Sequence, residues 1–401
     1  MMNLKIPKSA AAVIDALAEN GYDAYAVGGC VRDALLGREP NDWDITTSAR
    51  PEAIMEIFSE REGFRAVPTG IAHGTVTVVC GGEPIEVTTY RIDGEYYDSR
   101  HPDSVEFTDD LTADLARRDF TVNAMAYSPS RGLVDAYGGE CDLEERIIRC
   151  VGDARERFSE DALRIMRALR FSAQLGFAIE ENTANAAREL AYTLDNIAAE
   201  RISAELSGLL LGRDAARALR DHADILLHIL PMLNERAILS ASERVSRISD
   251  ACLPLSLAVL LAEVADDEIC KFFARLRFDN KTLRIAKSIL EHQKSPICDK
   301  SCVKRLCRDA GVDVARDVIT LKRAMGESVE GASEHLREIA EGGECYSIAQ
   351  MKIGGRELLA LGCEPTAIGK TLDMLLEAVI SDTLPNDENE LINAASRILK
   401  G

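Results

Sequence analysis

Asp42 and Asp44 stand two residues apart in the run Asn41-Asp42-Trp43-Asp44-Ile45-Thr46-Thr47, and paired carboxylates at that spacing are a donor set for hard divalent cations. Side chains two apart on a strand face the same way, so a strand over Trp43 to Thr47 opened by Asp42 lets both carboxylates grip one pair of ions. Two magnesium ions about 4 Å apart serve an in-line phosphoryl displacement: one activates the attacking hydroxyl and the other neutralises the leaving pyrophosphate. An Asp-x-Asp is by itself also a turn or capping motif. Its upstream neighbours sharpen the reading. Gly28-Gly29-Cys30-Val31-Arg32-Asp33 has the layout of a glycine turn running into a helix, which lets backbone amides approach phosphate oxygens, with Arg32 one turn in to supply a fixed charge. A third carboxylate, Glu86, lies on a segment that can flank the pair.

The elements that must position these residues read as a compact α/β head. Residues 9 to 19 predict a helix, Asp23 to Val27 a strand, Val31 to Leu36 a helix stopped by Gly37, and 51 to 60 another helix. His73 to Cys80 and Glu83 to Tyr90 are rich in β-branched residues and are separated by Gly81-Gly82, a hairpin signal. Residues 92 to 110 are polar and aperiodic and predict a long loop. Beyond about residue 150 the pattern is helical: Ala154 to Leu175, Glu181 to Leu194, Ala198 to Leu211, Ala215 to Leu230, Leu255 to Val264, Asp267 to Leu276 and Lys281 to His292 show apolar residues at helical spacing. The expected fold class is therefore a compact α/β head, a small mixed sheet with helices, followed by an all-α neck, body and tail. The expected boundaries are 1–145 for the head, 146–215 for a neck, 216–300 for a body and 301–401 for a tail.

Composition limits the partners. The formal charge is −20 over 401 residues, which argues against indiscriminate coating of nucleic acid, since non-specific affinity comes from Lys and Arg neutralising phosphates. Residues 271 to 323 depart from this trend with 14 Lys and Arg against 6 Asp and Glu, either a solvated helical face or a phosphate-binding surface. The longest apolar run, Leu253 to Val264, is too short for a membrane span and is interrupted by Pro254 and Glu263. The N-terminus has neither a signal-peptide nor a transit-peptide layout, so the expected location is the cytoplasm and no membrane partner is expected. The 11 cysteines are scattered and read as reduced thiols; Cys298, Cys302 and Cys307, with His292 upstream, miss the spacing that structural zinc favours. No His-Asp dipeptide occurs, so His222 and His228 read as ordinary helix residues and not as a phosphohydrolase centre.

With these residues in view, GGCVRDALLGREPNDWDIT resembles the signature of the class II tRNA nucleotidyltransferases, the CCA-adding enzymes, and their bacterial poly(A) polymerase relatives. HGTVTVV and IEVTTYRIDGEYYDSRHP resemble the family's hairpin and flexible loop, and LARRDFTVNAMAY its ribose-recognition motif. GGECDLEERIIRCVGD, RFSEDALRIMRALRFSAQLGF and, more loosely, AAERISAELSGLLLG follow in the family's order, so that the resemblance covers roughly the first 215 residues. It implies that Asp42 and Asp44 bind two Mg²⁺ ions, that Gly28, Gly29 and Arg32 contact the nucleotide, and that Arg118, Asp119 and Asn123 shape the ribose and phosphate pocket. It implies further that Asp161, Arg164, Arg167 and Arg170 line the nucleotide site. Asp161, Arg164 and Arg167 are each three apart, which predicts one side of one helix. Cytosine and adenine each present an amino donor beside a ring-nitrogen acceptor, which a carboxylate next to a guanidinium complements. Guanine and uracil present the reverse polarity, at a cost of about 1 to 3 kcal/mol for each mismatched buried group.

The implied activity is addition of C and A to the tRNA 3' end from CTP and ATP with release of pyrophosphate. Three alternatives stay open on sequence: an enzyme that adds A only or a poly(A) polymerase, a non-catalytic RNA-binding protein on the same fold, and a small-molecule nucleotidyltransferase. The segment from Arg91 to Pro102 keeps the charged pattern that accompanies A addition in this family, but reads Asp98-Ser99-Arg100-His101 where Gly and a second Arg are frequent.

Overall fold

The structure, a computed structural model, describes residues 4–94 and 105–400. Two compact units divide the chain, Met1–Pro231 and Met232–Gly401. The first opens with α1 (Lys8–Glu19), β1 (Ala24–Val27), α2 (Gly29–Leu35), β2 (Asp44–Thr47) and α3 (Pro51–Glu60). It continues through β3 (Phe64–Gly70), β4 (Thr75–Cys80), β5 (Glu83–Thr89), β6 (Arg91–Asp93), β7 (Val105–Phe107) and α4 (Leu111–Ala116), then β8 (Met125–Ser128) and β9 (Gly132–Asp135). Seven of these strands form one mixed sheet in the order β3-β4-β5-β2-β1-β8-β9. β2 runs parallel to β5 and antiparallel to β1, so the two segments that carry the candidate carboxylates are neighbours in the sheet.

The central strands are buried along their whole length: all four residues of β1 and of β8 are covered. Tyr25, Val27, Tyr90, Leu115, Ala124, Ala126 and Val151 pack into one core cluster that ties β1 and β8 to α4. Gly81 and Gly82 take φ +61° and +87°, the left-handed turn conformation that joins β4 to β5 as the sequence predicts. The predicted loop over 92 to 110 is corrected in part: β6 pairs antiparallel with β7, and α4 begins at Leu111. Residues 95–104, including the expected Asp98-Arg100 loop, lie outside the described residues.

Helices fill the rest of the first unit. α5 (Gly139–Glu145), α6 (Ala154–Glu160), α7 (Leu163–Leu175), α8 (Glu181–Leu190), α9 (Ala199–Leu210), α10 (Ala215–Asp221) and α11 (Ala223–Ile229) follow the sheet. Two helices expected to be continuous are broken. Ala154 to Leu175 separates at Asp161, whose backbone is extended (φ −141°, ψ 102°) and whose carboxylate accepts the Leu163 N–H, opening a second helix as capping aspartates do. Ala215 to Leu230 separates at His222, whose φ of −130° and ψ of 30° are not helical. Beyond Leu190 the chain tightens into a 3-10 turn, Ala191–Asn196.

From Glu235–Val245 to Glu388–Lys400 the second unit is helical throughout its regular structure. One core cluster in it joins Leu358, Leu375, Leu376, Ile380 and Leu391, the apolar stripes of its last three helices. Most of the basic excess over 271 to 323 is consumed internally. Lys304 is buried against Glu344 and Asp382, Lys322 against Glu327, and Arg305 and Arg308 both pair with Glu377. Lys281, Arg284 and Lys294 remain exposed on and just after Asn280–His292.

Candidate active site

β2 begins at Asp44, and Asp42 lies in the segment that leads into it, so strand alternation from Asp42 is not what sets the pair. The carboxylates are nonetheless close enough to act on one another. Asp44 sits directly beside Glu86 in the parallel register, and burial by surrounding protein, then the negative charges of Asp42 and Glu86, push the Asp44 carboxyl up from 3.8 to about 6. Arg118 works against that rise. All three side chains keep surface exposed to solvent, Asp44 with much of its surroundings occupied by protein, and none has a hydrogen-bonded or ion-paired partner side chain among the described residues. They are spread more widely than a single tight chelate: among the described residues, the three-ligand group whose atoms all lie within 4.8 Å of one another is Cys298, Asp299 and Cys302 in the second unit. There the Cys298 and Cys302 sulfurs are 3.2 Å apart, while Cys307 and His292 do not join them. Oxygen donors with uncompensated charge, at the end of a sheet strand, fit hard divalent cations.

The wall beside these acids is built on Gly28. Its φ of +84° and ψ of −134° suit glycine alone, and a Cβ there would meet the Arg118 Nη1 at 2.8 Å. Arg118 is half-buried, and the protein packed around it lowers its pKa against the opposing pull of Asp114, Asp119 and Asp44, while its Nε has no hydrogen-bond partner. A guanidinium held between a glycine turn and the carboxylates, with an unsatisfied donor, is a ready anion-binding group. Arg32 is committed elsewhere. It makes two 2.9 Å hydrogen bonds to Asp33 and a 2.7 Å bond to the Asn123 Oδ1, so it reaches phosphate only by giving up protein partners.

Asn123 passes the linkage on, donating to Asp119 at 3.2 Å. Burial alone would raise the Asp119 carboxyl, but the charge and hydrogen bonds of Arg167, the Asn123 amide and the charge of Arg164 hold it below the usual carboxylate range. Arg167 contacts the Asp119 Oδ2 through Nε at 2.7 Å and Nη2 at 2.6 Å. Three guanidiniums surround the Phe171 ring, those of Arg32, Arg167 and Arg170 at 5.2, 5.3 and 4.5 Å from its centroid. The predicted residues Arg32, Asn123, Asp119, Arg167 and Arg170 thus meet in one lattice around an aromatic ring.

The base-reading residues require a correction. Asp161, Arg164 and Arg167 do not share a helix face, because the chain breaks at Asp161 and only the two arginines belong to α7. Nor do the side chains of Asp161 and Arg164 bond to each other, although the Arg164 N–H donates to the Asp161 carbonyl at 3.0 Å. Asp161 accepts from Arg201 at 2.7 Å, and Arg164 donates to Glu160 at 2.6 Å and to the carbonyls of Arg117 and Arg157. Sequence reasoning missed Glu160, Phe171, Arg201, Glu205 and Asp114. The first four lie inside the helical segments singled out above, and Arg201 and Glu205 are four apart, the spacing of one helix face. Glu205 lies 2.7 Å from Arg170. Asp114, wholly buried, accepts from Arg117 and from the Thr46 hydroxyl of β2.

A nucleotide-polymerising head with a helical, arginine-rich neck is the class this geometry defines. Residues 24–149 match the family described as the poly A polymerase head domain, 176–236 the family described as the probable RNA- and SrmB-binding site of polymerase A, and 254–395 the family described as tRNA nucleotidyltransferase domain 2. The chain is 34% identical to the CCA-adding enzyme of Limosilactobacillus fermentum over 97% of its own length and 96% of that protein's. It is 36% identical to the CCA-adding enzyme of Geobacillus kaustophilus, with 96% and 95% covered. The fold superposes on the Bacillus stearothermophilus CCA-adding enzyme in complex with CTP with a TM-score of 0.83 at 33% identity, covering 98% of this chain and 97% of that one. This chain belongs to the family of CCA-adding enzymes, which are tRNA nucleotidyltransferases. No described helix is long and apolar enough to cross a membrane.

Proposed function

We propose that this protein adds C and A nucleotides to the 3' end of tRNA without a nucleic-acid template, taking CTP and ATP and releasing pyrophosphate. The observation that carries the reading is the unpartnered trio Asp42, Asp44 and Glu86 beside the Gly28 turn and the Arg118 guanidinium. Asp42 and Asp44, with Glu86 alongside, would hold two Mg²⁺ ions, which supply Lewis-acid activation of the tRNA 3' hydroxyl and charge neutralisation at the leaving pyrophosphate. Arg118 offers its guanidinium to the triphosphate beside the Gly28 turn, where the absence of a side chain leaves room for Nη1. Asn123 and Asp119 bound the ribose side, and Arg167 and Arg170 keep that wall in place through Asp119 and Glu205.

Asp161 as acceptor and Arg164 as donor read the base edge, which favours cytosine and adenine over uracil and guanine. The head over 1–145 carries the chemistry and the neck over 146–215 the base reading. The body over 216–300 links them to the tail over 301–401, which contacts RNA; exposed Lys281, Arg284 and Lys294 add phosphate contacts from the body. Eleven free thiols support a reducing cytoplasmic setting.

The decisive experiment incubates the purified protein and Mg²⁺ with tRNAs ending before the first C, after CC and after CCA, supplying each nucleotide separately. CTP incorporation into the first, ATP into the second and neither into the third is the expected pattern. A protein that extends none of them is not this enzyme, and one that accepts ATP alone adds A only. Asp161→Ala is expected to relax base choice while retaining some transfer; unchanged preference for CTP and ATP over UTP and GTP overturns the base-reading role.

A further inference from the structure

α9 faces the site with two charged residues four apart, and each takes a different partner. Glu205 lies 2.7 Å from Arg170 of α7, and Arg201 donates to the Asp161 Oδ2 at 2.7 Å across the break between α6 and α7. The contact is sheltered, with the Asp161 and Arg201 side chains 13% and 23% exposed. The other carboxylate oxygen, Oδ1, accepts the Leu163 N–H at 3.0 Å. Asp161 is therefore tied at both oxygens and cannot swing about its side-chain bonds without losing one tie. Its backbone is anchored as well, the Asp161 N–H donating to the Arg157 carbonyl at 3.4 Å and its own carbonyl accepting the Arg164 N–H at 3.0 Å, so the ties to Leu163 and Arg201 add side-chain restraint to a fixed backbone.

We infer that Arg201 is a positioning residue for nucleotide selection, holding the Asp161 carboxylate so that the remaining lone pair of Oδ2 faces the incoming base. This inference rests on the base-reading role of Asp161 proposed above. A carboxylate oxygen accepts two hydrogen bonds, so the Arg201 bond leaves one acceptor position, fixed in direction, for an exocyclic amino group. Cytosine and adenine supply that donor; uracil and guanine present a carbonyl there and meet an oxygen that cannot turn aside. Without Arg201 the carboxylate can rotate away from an opposing carbonyl, so the wrong bases gain more than the right ones lose. Discrimination depends on the fixed direction, because a misplaced polar group of about 1 Å costs much of the selective interaction.

The test measures kcat and KM for CTP and UTP with tRNA lacking its last three nucleotides, using Arg201→Ala, Arg201→Lys, Asp161→Ala and Arg188→Ala. Arg188 pairs with Asp224 on the exposed surface of the same unit and controls for general loosening. Arg201→Ala is expected to lower the CTP-to-UTP ratio of kcat/KM about tenfold, mainly by improving KM for UTP, while Arg201→Lys stays within about threefold of the parent. An unchanged ratio in Arg201→Ala, whatever happens to total activity, overturns the inference, as does an equal fall in Arg188→Ala. Should Arg201→Ala not fold, as judged by circular dichroism, Arg201→Gln replaces it with the same expected and overturning outcomes. If Asp161→Ala itself leaves the ratio intact, the base-reading role fails; if Asp161→Ala relaxes choice and Arg201→Ala does not, only the role of Arg201 fails.

Discussion

Two regions of the first unit handle negative charge in opposite ways. Around the start of β2 in the head sheet, Asp42, Asp44 and the neighbouring Glu86 of β5 keep surface open to solvent, act on one another electrostatically and have no cationic side chain bonded to them among the described residues. In the neck and the adjoining wall, Asp119, Asp161 and Glu205 are sheltered, and each has a guanidinium within 2.7 Å. Charge left uncompensated invites a mobile cation, whereas charge already compensated by rigid arginines gives shape and directional donors and acceptors. The first arrangement suits chemistry on a triphosphate and the second suits recognition of its sugar and base. The acids carry a cost in the fold that residual contact with water limits, whereas the burial penalty of the neck is offset pair by pair.

Removing acids from the strand edge should destroy catalysis and leave the fold intact. Asp42→Ala and Asp44→Ala are each expected to lower kcat about a thousandfold, the equivalent of roughly 4 kcal/mol of transition-state stabilisation, with urea midpoints no lower than the parent's. Residual activity above about a tenth would break the contrast by showing that the edge is not where cations act. The opposite behaviour is expected of the lattice. Asp119→Ala leaves Arg167 and Asn123 without their shared acceptor and should destabilise the protein by about 3 kcal/mol in chemical denaturation. Arg155→Ala, which opens an exposed pair with Glu189, should cost less than about 1 kcal/mol. Equal costs for these two substitutions would mean that the lattice is ordinary surface charge.

The same contrast explains what could be read before the structure. The strand-edge acids were legible because their signal is local: Asp42, Asp44 and the Gly28-Gly29 turn lie within one short stretch, and the Gly81-Gly82 hairpin makes β5 and hence Glu86 identifiable. The lattice was legible only as a set of charged helical positions, since its partners lie 40 or 48 residues apart, as Asp161 and Arg201 or Asp119 and Arg167 do. Periodicity also concealed the break at Asp161, because apolar spacing continues across it and a single extended residue leaves no period of its own. β8 went unread for a related reason: its Met-Ala-Tyr-Ser run is buried on both faces and shows no alternation. β3 carries Pro68 and Gly70, residues that weaken a strand signal, and it occupies the sheet edge where proline is tolerated.

The smallest expected effect tests the electrostatics of the edge without any turnover. In the unfolded chain Asp44 titrates near 3.8, and in the fold near about 6. Between those values the folded protein retains a proton that the unfolded chain has released, so this group favours folding increasingly as pH falls through 6, and the gain levels off below 3.8. At pH 7 the ionised Asp44 is a net burden, which solvent screening limits to about 1 kcal/mol. Asp44→Asn should therefore be slightly more stable than the parent at pH 7, and the gap should close by pH 4.5. His222 acts in the opposite sense: burial pushes it down from 6.5 to about 4, so acid weakens the fold as pH falls through that window. Because both proteins carry His222, the difference in their urea midpoints isolates Asp44. Magnesium at pH 7 should close the same gap from the other side, by binding and stabilising the parent and not Asp44→Asn. A gap that ignores both protons and magnesium would show that the carboxylates are too far apart to share a cation, and the division between an uncompensated edge and a compensated neck would lose its physical basis.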